Sequence, residues 1–473
     1  MWNIKEAYID GNFVPVQGTE IIEIINPATE AVIGTATLAN RDDAKLAIAA
    51  ARRAQSGFGN TSKAERIEML RQLQAAVLGS AERIRDSAIE EYGGVFARTQ
   101  WVSQYVSQCF ANAAQTLEDY PLSRTVGTAQ VVMEPVGVAA LIAPWNSVAG
   151  TVCSKLACAI AAGCASVIKP SELSPLQSRV IAEALHSAGL PGGIFNILLG
   201  RGHDVGDELS THPDIARLSF TGSTATGKLI ARAAVDSIKR VSLALTGKSA
   251  SIVLDDADLA TAIPLAINAA FNNSGQACIA GTRLLVPRAR LDEVIGAVQA
   301  YAATLRVGDP RDPDSAIGPL ASLAQYERVQ HYIERGLVQG ARLIVGGEGR
   351  PAGLEKGYFV RPTVFVDVSP QMDIAREEIF GPVLSIMTYD SEEQAIEIAN
   401  GTVYGLHAYV LARDLERAGR IASRLEAGTV MINRINPELL APFGGVKQSG
   451  IGREFGVLGL ESFLEAKSIV SAQ

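Results

Sequence analysis

Between residues 136 and 220 four short apolar runs, at 136–143, 165–169, 194–199 and 215–220, alternate with helical stretches near 147–162, 175–188 and 203–210. Strict alternation leaves few architectures open, because parallel strands need crossover connections and the crossover helices must cover both faces of the sheet. The expected fold class is therefore α/β, with a doubly wound parallel sheet. In such sheets ligands bind beyond the carboxyl ends of the strands. Three of those ends carry unusual residues: Pro144-Trp145-Asn146, Lys169-Pro170-Ser171-Glu172 and Thr221-Gly222-Ser223.

The third end continues through Thr224-Ala225-Thr226-Gly227-Lys228, which completes most of a phosphate-cradling loop. The next residue is Leu229, where the magnesium-binding hydroxyl of an NTPase belongs. A nucleoside triphosphatase is disfavoured on that ground. A helix N-terminus offering amides to the pyrophosphate of a dinucleotide fits the same residues.

At 473 residues the chain is too long for one core, and about three domains or lobes are expected. Residues 8–35 alternate apolar and polar as short strands and turns. Asn40 caps a helix carrying Ala44, Ile48 and Ala51 on one face, and Ser62 with Glu65 forms a capping box before Ile67, Leu70 and Val77. A further helical stretch runs to about Leu117. The polar segment 124–134 reads as a hairpin arm, either an interface element or an ordinary surface hairpin.

Hydrophobic content of 48% with 19% charged residues describes a folded protein with a large interior, and a net charge of -8 without any Lys/Arg run argues against a nucleic-acid partner. Five cysteines with no Cys-x-x-Cys pair suggest reduced thiols in a cytoplasmic setting. Acid within the first six residues is unlike a secretory signal. The run 147–168 is interrupted by Lys155 and is read as a core helix plus the next strand rather than a membrane span. With no His-Glu-x-x-His, no Gly-x-Ser-x-Gly and scattered histidines, neither a metal site nor a serine nucleophile is expected.

A strand near 252–254 opens a second α/β unit expected to end near Pro442. Within it lies Phe271-Asn272-Asn273-Ser274-Gly275-Gln276-Ala277-Cys278-Ile279-Ala280-Gly281-Thr282-Arg283, between a helical segment and the strand-like Leu284-Leu285-Val286. Small neighbours leave the Cys278 sulfur reachable. Backbone N–H groups or a nearby cation would make it a nucleophile by favouring the thiolate, and a buried inert cysteine is the alternative.

Taken together, Pro144-Trp145-Asn146, Lys169-Pro170-Ser171-Glu172, Phe220-Thr221-Gly222-Ser223, Gly275-Gln276-Ala277-Cys278, Glu378-Ile379-Phe380-Gly381-Pro382 and Pro442-Phe443-Gly444-Gly445-Val446-Lys447-Gln448-Ser449-Gly450 resemble, in order and spacing, the NAD(P)-dependent aldehyde dehydrogenase superfamily along essentially the whole chain. The resemblance implies a dinucleotide-binding domain over 1–119 and 137–246, a catalytic domain over 247–442, and a β oligomerisation arm with a C-terminal strand over 120–136 and 443–473. It implies that Cys278 attacks the aldehyde carbon and that the Asn146 amide and the Cys278 N–H receive the oxyanion. Lys155 is counted with the catalytic group. Cofactor residues implied are Trp145, Lys169, Ser171, Glu172, Gly222, Ser223, Glu378 and Phe380, with NAD preferred over NADP because Glu172 repels a 2′-phosphate while Lys169 blunts the repulsion.

In relatives the substrate tunnel is lined by the positions of Ser147, Thr151 and Ser154, whose small side chains imply a wide tunnel, and Arg434 near its mouth leaves an anionic semialdehyde open. Lys467-Ser468-Ile469-Val470-Ser471 has strand character without an evident partner in its own chain, so it is expected to extend a neighbouring subunit's sheet in a homodimer or homotetramer.

The chain departs from the family at Ala244-Leu245-Thr246-Gly247-Lys248, where Glu-Leu-Gly-Gly-Lys is usual. Alanine cannot accept a proton, so deacylation lacks its customary base. Three readings follow: a single-codon or engineered substitution in an otherwise intact site, a base relocated to Glu454, or acyl transfer to a thiol such as coenzyme A. A catalytically silent NAD- or aldehyde-binding homologue is the non-enzymatic alternative.

Overall fold

The apolar run that carries Lys155 folds as the helix Val148–Ala162 followed by the strand Ser166–Lys169 in a computed structural model, which describes residues 1–471. Nearly every side chain of that helix is buried, because it crosses between two layers rather than lying on a surface. It packs against the long helix Phe96–Asp119 on one side and the first sheet on the other. Among the described residues no helix is long and apolar enough to cross a membrane.

The first sheet has eight strands in the order Gly450–Ile451, Arg240–Ala244, Arg217–Thr221, Ala139–Ile142, Ser166–Lys169, Phe195–Ile197, Glu6–Ile9 and Asn12–Pro15. The five from 240–244 to 195–197 run parallel, and the flanking strands are antiparallel. All four strands read from the apolar runs are therefore neighbours, each shorter than its run. The second sheet has seven strands, two from residues 250–287 and five from 342–432. Six run parallel, from Thr363–Val366 through Val383–Tyr389, Arg283–Pro287, Ala250–Val253 and His407–Leu411 to Thr429–Ile432. Only the edge strand Arg342–Val345 is antiparallel.

The chain passes from the first sheet to the second through the short link between Ala244 and Ala250. Across this link the carboxyl ends of 217–221 and 240–244 face the amino end of the second unit's strands. Ser449 fastens the crossing, donating to the Thr246 carbonyl at 2.6 Å and accepting from the Gly405 N–H at 2.9 Å.

The C-terminal expectation needs correction. Leu464–Val470 has a partner in its own chain: it pairs antiparallel with Ala129–Pro135 over seven residue pairs, and 129–135 pairs in turn with Ser123–Val126. Sequence-distant pairing of this kind leaves no periodic trace that could have named the partner. Nor do residues 443–463 stand apart with the arm. Gly450–Ile451 closes one edge of the first sheet, and Leu460 and Phe463 are buried in that sheet's core.

Cys153, Cys158 and Cys164 are all buried in this first core, and burial pushes the thiol pKa values up. Cys153→Ser should destabilise the fold by about 1–3 kcal/mol, since the hydroxyl enters an apolar site with no partner. Denaturant unfolding of the purified variant checks this, and unchanged stability would contradict the packing.

Candidate active site

Cys278 sits where a strained loop meets the crossing. The helix Leu259–Phe271 ends at Asn272, and Asn273, Ser274 and Gly275 then take left-handed backbone conformations with φ of 59°, 55° and 72°. Two of the three are not glycine, which costs free energy that the surrounding contacts must offset. Gly275 is required by space as well, because a Cβ there would collide with the Gly381 carbonyl. One turn further on, a Cβ at Gly247 would collide with the Cys278 carbonyl. The cysteine loop is thus pressed between the Glu378-to-Gly381 loop and the link from the first sheet.

The Cys278 side chain is half-buried and lines a cavity of about 810 Å³. Asn146, Ser147, Thr151, Ser154, Arg434 and Glu454 line the same cavity. Asn146 projects from the end of strand Ala139–Ile142 and donates through Nδ2 to the Gln276 carbonyl at 2.9 Å, which leaves its second amide hydrogen free for another acceptor. Arg434 is exposed and donates to the Asn436 carbonyl at 2.9 Å.

The electrostatics depart from expectation. No cation favours the Cys278 thiolate; burial and the nearby Glu378 carboxylate push its pKa up to about 12, against the smaller pull of its own N–H and that of Ile279. Glu378 is itself pushed up to about 7 by burial, opposed by the Gly247 N–H that donates to Oε1 at 3.3 Å. Lys248 is pushed down to about 7 by burial and by Arg283, and among the described residues its Nζ has no hydrogen-bond partner.

Lys155 is fully enclosed in its helix. Burial lowers its pKa, while an ion pair with Glu454 raises it, and Nζ also donates to Ser219 at 2.8 Å. Ala244 ends its strand with its methyl buried, accepting on its carbonyl from the Gly222 N–H at 3.1 Å.

The remaining sequence-predicted residues gather along the carboxyl ends of the first sheet. Lys169 Nζ lies 3.3 Å from Glu172, which also faces Arg201 at 3.8 Å. Ser171 Oγ accepts from the Leu173 N–H at 3.2 Å. Ser223 caps the helix Thr224–Val235, and Lys228 is tied to Gln448 at 2.9 Å. Trp145 meets Phe380 edge to face at 5.3 Å, so the rim joins the two units. Phe380 holds a left-handed φ of 64°. These strand ends bring together helix amides, a carboxylate and facing aromatic rings, a donor set that suits a dinucleotide.

Sequence reasoning missed four contributors. Trp101 and Tyr105, on the helix Phe96–Asp119, place aromatic walls in the cavity beside the small Ser147, Thr151 and Ser154. Arg98 lines it too, as does His407, a buried imidazole with neither nitrogen partnered among the described residues and its pKa pushed down to about 4 by burial. Arg98, Trp101 and Tyr105 recur at helical spacing, the one signal that could have grouped them.

An α/β protein of two largely parallel sheets, with a half-buried thiol in a cavity at their junction and a dinucleotide-suited set of strand ends, is the class these features define. The chain belongs to the aldehyde dehydrogenase family, whose sequence model matches residues 13–469. It is 46% identical over 472 residues to a 3-succinoylsemialdehyde-pyridine dehydrogenase of Pseudomonas sp., covering 99% of each chain. Its fold is similar to the crystal structure of a cysteine-to-alanine mutant of aldehyde dehydrogenase C from Pseudomonas syringae in complex with NAD+ and octanal, with a TM-score of 0.97, 43% identity, and 98% and 96% of the two chains covered. It is also similar to betaine aldehyde dehydrogenase from Staphylococcus aureus in complex with NAD+, with a TM-score of 0.95, 34% identity, and 98% and 94% covered.

With the thiol pushed up to about 12, alkylation of Cys278 by iodoacetamide should be slow at pH 7 and rise about tenfold per pH unit up to pH 10, because the thiolate is the reacting form. Mass spectrometry of the Cys278 peptide follows it, and a plateau between pH 8 and 9 would contradict the buried environment.

Proposed function

We propose that this chain oxidises aldehydes to carboxylic acids with NAD, through covalent intermediates on Cys278. The observation that carries the reading is that Cys278 and Asn146 share one cavity, while Trp145, next to Asn146 in the chain, meets Phe380 of the second unit edge to face. Cys278, once its proton has passed to solvent, adds as the thiolate to the aldehyde carbon, the carbonyl π pair moves to oxygen, and the alkoxide so formed accepts hydrogen bonds from the spare Asn146 amide N–H and the Cys278 N–H. When bound, NAD supplies the hydride acceptor that carries the thiohemiacetal to the thioester. Trp145, Lys169, Ser171, Glu172, Gly222, Ser223, Glu378 and Phe380 would hold it. Two cations beside Glu172 soften its charge, so NADP is accepted more weakly rather than refused.

Hydrolysis is the impaired step. The methyl of Ala244 cannot activate water, and Glu454, the candidate substitute, is held by Lys155. Acyl transfer to coenzyme A needs no such base and is the second outlet, while a silent binding protein would release no NADH. The open edge at Ser123–Val126, exposed along its length, suits pairing with another subunit in a homodimer or homotetramer. Five free thiols suit a cytoplasmic setting.

Mixing the protein with NAD and an aldehyde should release a burst of up to about one NADH per site and then a slow steady rate, because the acyl-enzyme accumulates when its breakdown is slow. Ala244→Glu should raise the steady rate by about 10²–10⁴. Cys278→Ala should form no NADH while still binding NAD. Rapid-mixing absorbance with and without coenzyme A reads all of these. A fast steady rate in the unaltered chain that is lost in Glu454→Gln would instead make Glu454 the base.

A further inference from the structure

The cavity contains a charge for which the reaction above has no use. Arg98 lies in the first turn of the helix Phe96–Asp119, and its guanidinium sits 4.5 Å over the Trp101 ring. Trp101 is stacked in turn on Tyr105, with centroids 5.1 Å apart and planes 11° from parallel. Residues three and four apart fall on one helix face, so the column is built by a single element and holds its own shape. All three residues line the cavity that contains Cys278.

Other charges of that cavity are accounted for. Glu454 is paired with Lys155, Arg434 is exposed and bound to the Asn436 carbonyl, and Glu438 is exposed and accepts from the Leu440 N–H. Arg98 differs. Among the described residues it has no ion pair, its Nε is buried without a hydrogen-bond partner, and the groups that act on its charge are tyrosines, Tyr92 and Tyr105. Half-buried in the wall, the guanidinium has one enclosed nitrogen without an acceptor and its outer nitrogens unpaired, and a planar fork of donors suits a carboxylate above other groups. A bulky substrate that displaces water from this wall must therefore bring an acceptor with it.

We propose that Arg98, supported by the Trp101–Tyr105 stack, forms a subsite for a carboxylate at the far end of the substrate, which makes the favoured class aromatic aldehydes that carry a second, anionic group. The ring packs along the apolar edge of the stack, and the carboxylate takes two donors from the guanidinium. This rests on the aldehyde dehydrogenase reading. It gives the wide cavity a selectivity that the small side chains of Ser147, Thr151 and Ser154 do not supply.

The test compares 4-carboxybenzaldehyde with benzaldehyde, using the rate constant of the NADH burst so that slow deacylation does not mask the difference. In the unaltered chain 4-carboxybenzaldehyde should have the lower half-saturating concentration. Arg98→Gln should reduce the selectivity ratio by about 10–100-fold, the scale of a lost charge-assisted hydrogen bond, and Arg98→Lys should restore part of it. A ratio unchanged in Arg98→Gln, with a burst present for both aldehydes, would overturn the subsite alone. Absence of any burst in the unaltered chain would overturn the oxidation reading and the subsite with it. Tryptophan fluorescence in Cys278→Ala gives a readout free of turnover: terephthalate should quench Trp101 emission with at least tenfold lower half-saturation than in Cys278→Ala combined with Arg98→Gln, and equal values would count against the subsite.

Discussion

Everything at the site depends on how closely backbone approaches backbone where the first sheet hands over to the second. Gly247 lies against the Cys278 carbonyl and Gly275 against the Gly381 carbonyl, and in both places a Cβ would collide. Glycine's lack of a side chain lets three loops from separate parts of the chain occupy one small volume. Ser449 then fixes the crossing by joining Thr246 to Gly405. The left-handed backbone at Asn273 and Ser274 is sustained by this confinement rather than by local preference.

The same confinement sets the electrostatics. Dry surroundings disfavour charge, so the Cys278 thiol and the Glu378 carboxyl are pushed up and Lys248 is pushed down. Glu378 and Lys248 are thus shifted towards their neutral forms, the carboxyl upward and the ammonium downward. By contrast, Lys155 and Glu454 settle their burial by pairing with each other. A cavity lined by a carboxylate that is already paired, Glu454, and by a guanidinium that has no ion pair, Arg98, is asymmetric in charge, and that asymmetry is what distinguishes this pocket from a plain apolar tunnel.

Much of the arrangement was legible in the chain. Alternating apolar runs named four adjacent strands of the first sheet, and the residues at their ends, Trp145, Asn146, Lys169, Glu172 and Ser223, do line its carboxyl edge. Asn40 and Ser62 cap the helices that their side chains announced, since capping is settled within four residues. The strand at 467–471, expected to extend a neighbouring subunit's sheet, instead belongs to 464–470, which pairs with 129–135 of its own chain. Both segments advertised strand character, but strand propensity carries no address.

What the sequence determined by itself was whatever local chemistry decides: the period of the strands and helices, the caps, the presence of a reachable cysteine, and the absence of a carboxylate at Ala244. The tertiary structure alone decided the upward shift of the Cys278 thiol and the Glu378 carboxyl, the capture of Glu454 by Lys155, and the placing of Arg98 beside Trp101 and Tyr105. Each of these is a matter of desolvation or of distance between residues far apart in the chain. Such quantities have no value until the two sheets have closed on one another and excluded water from between them.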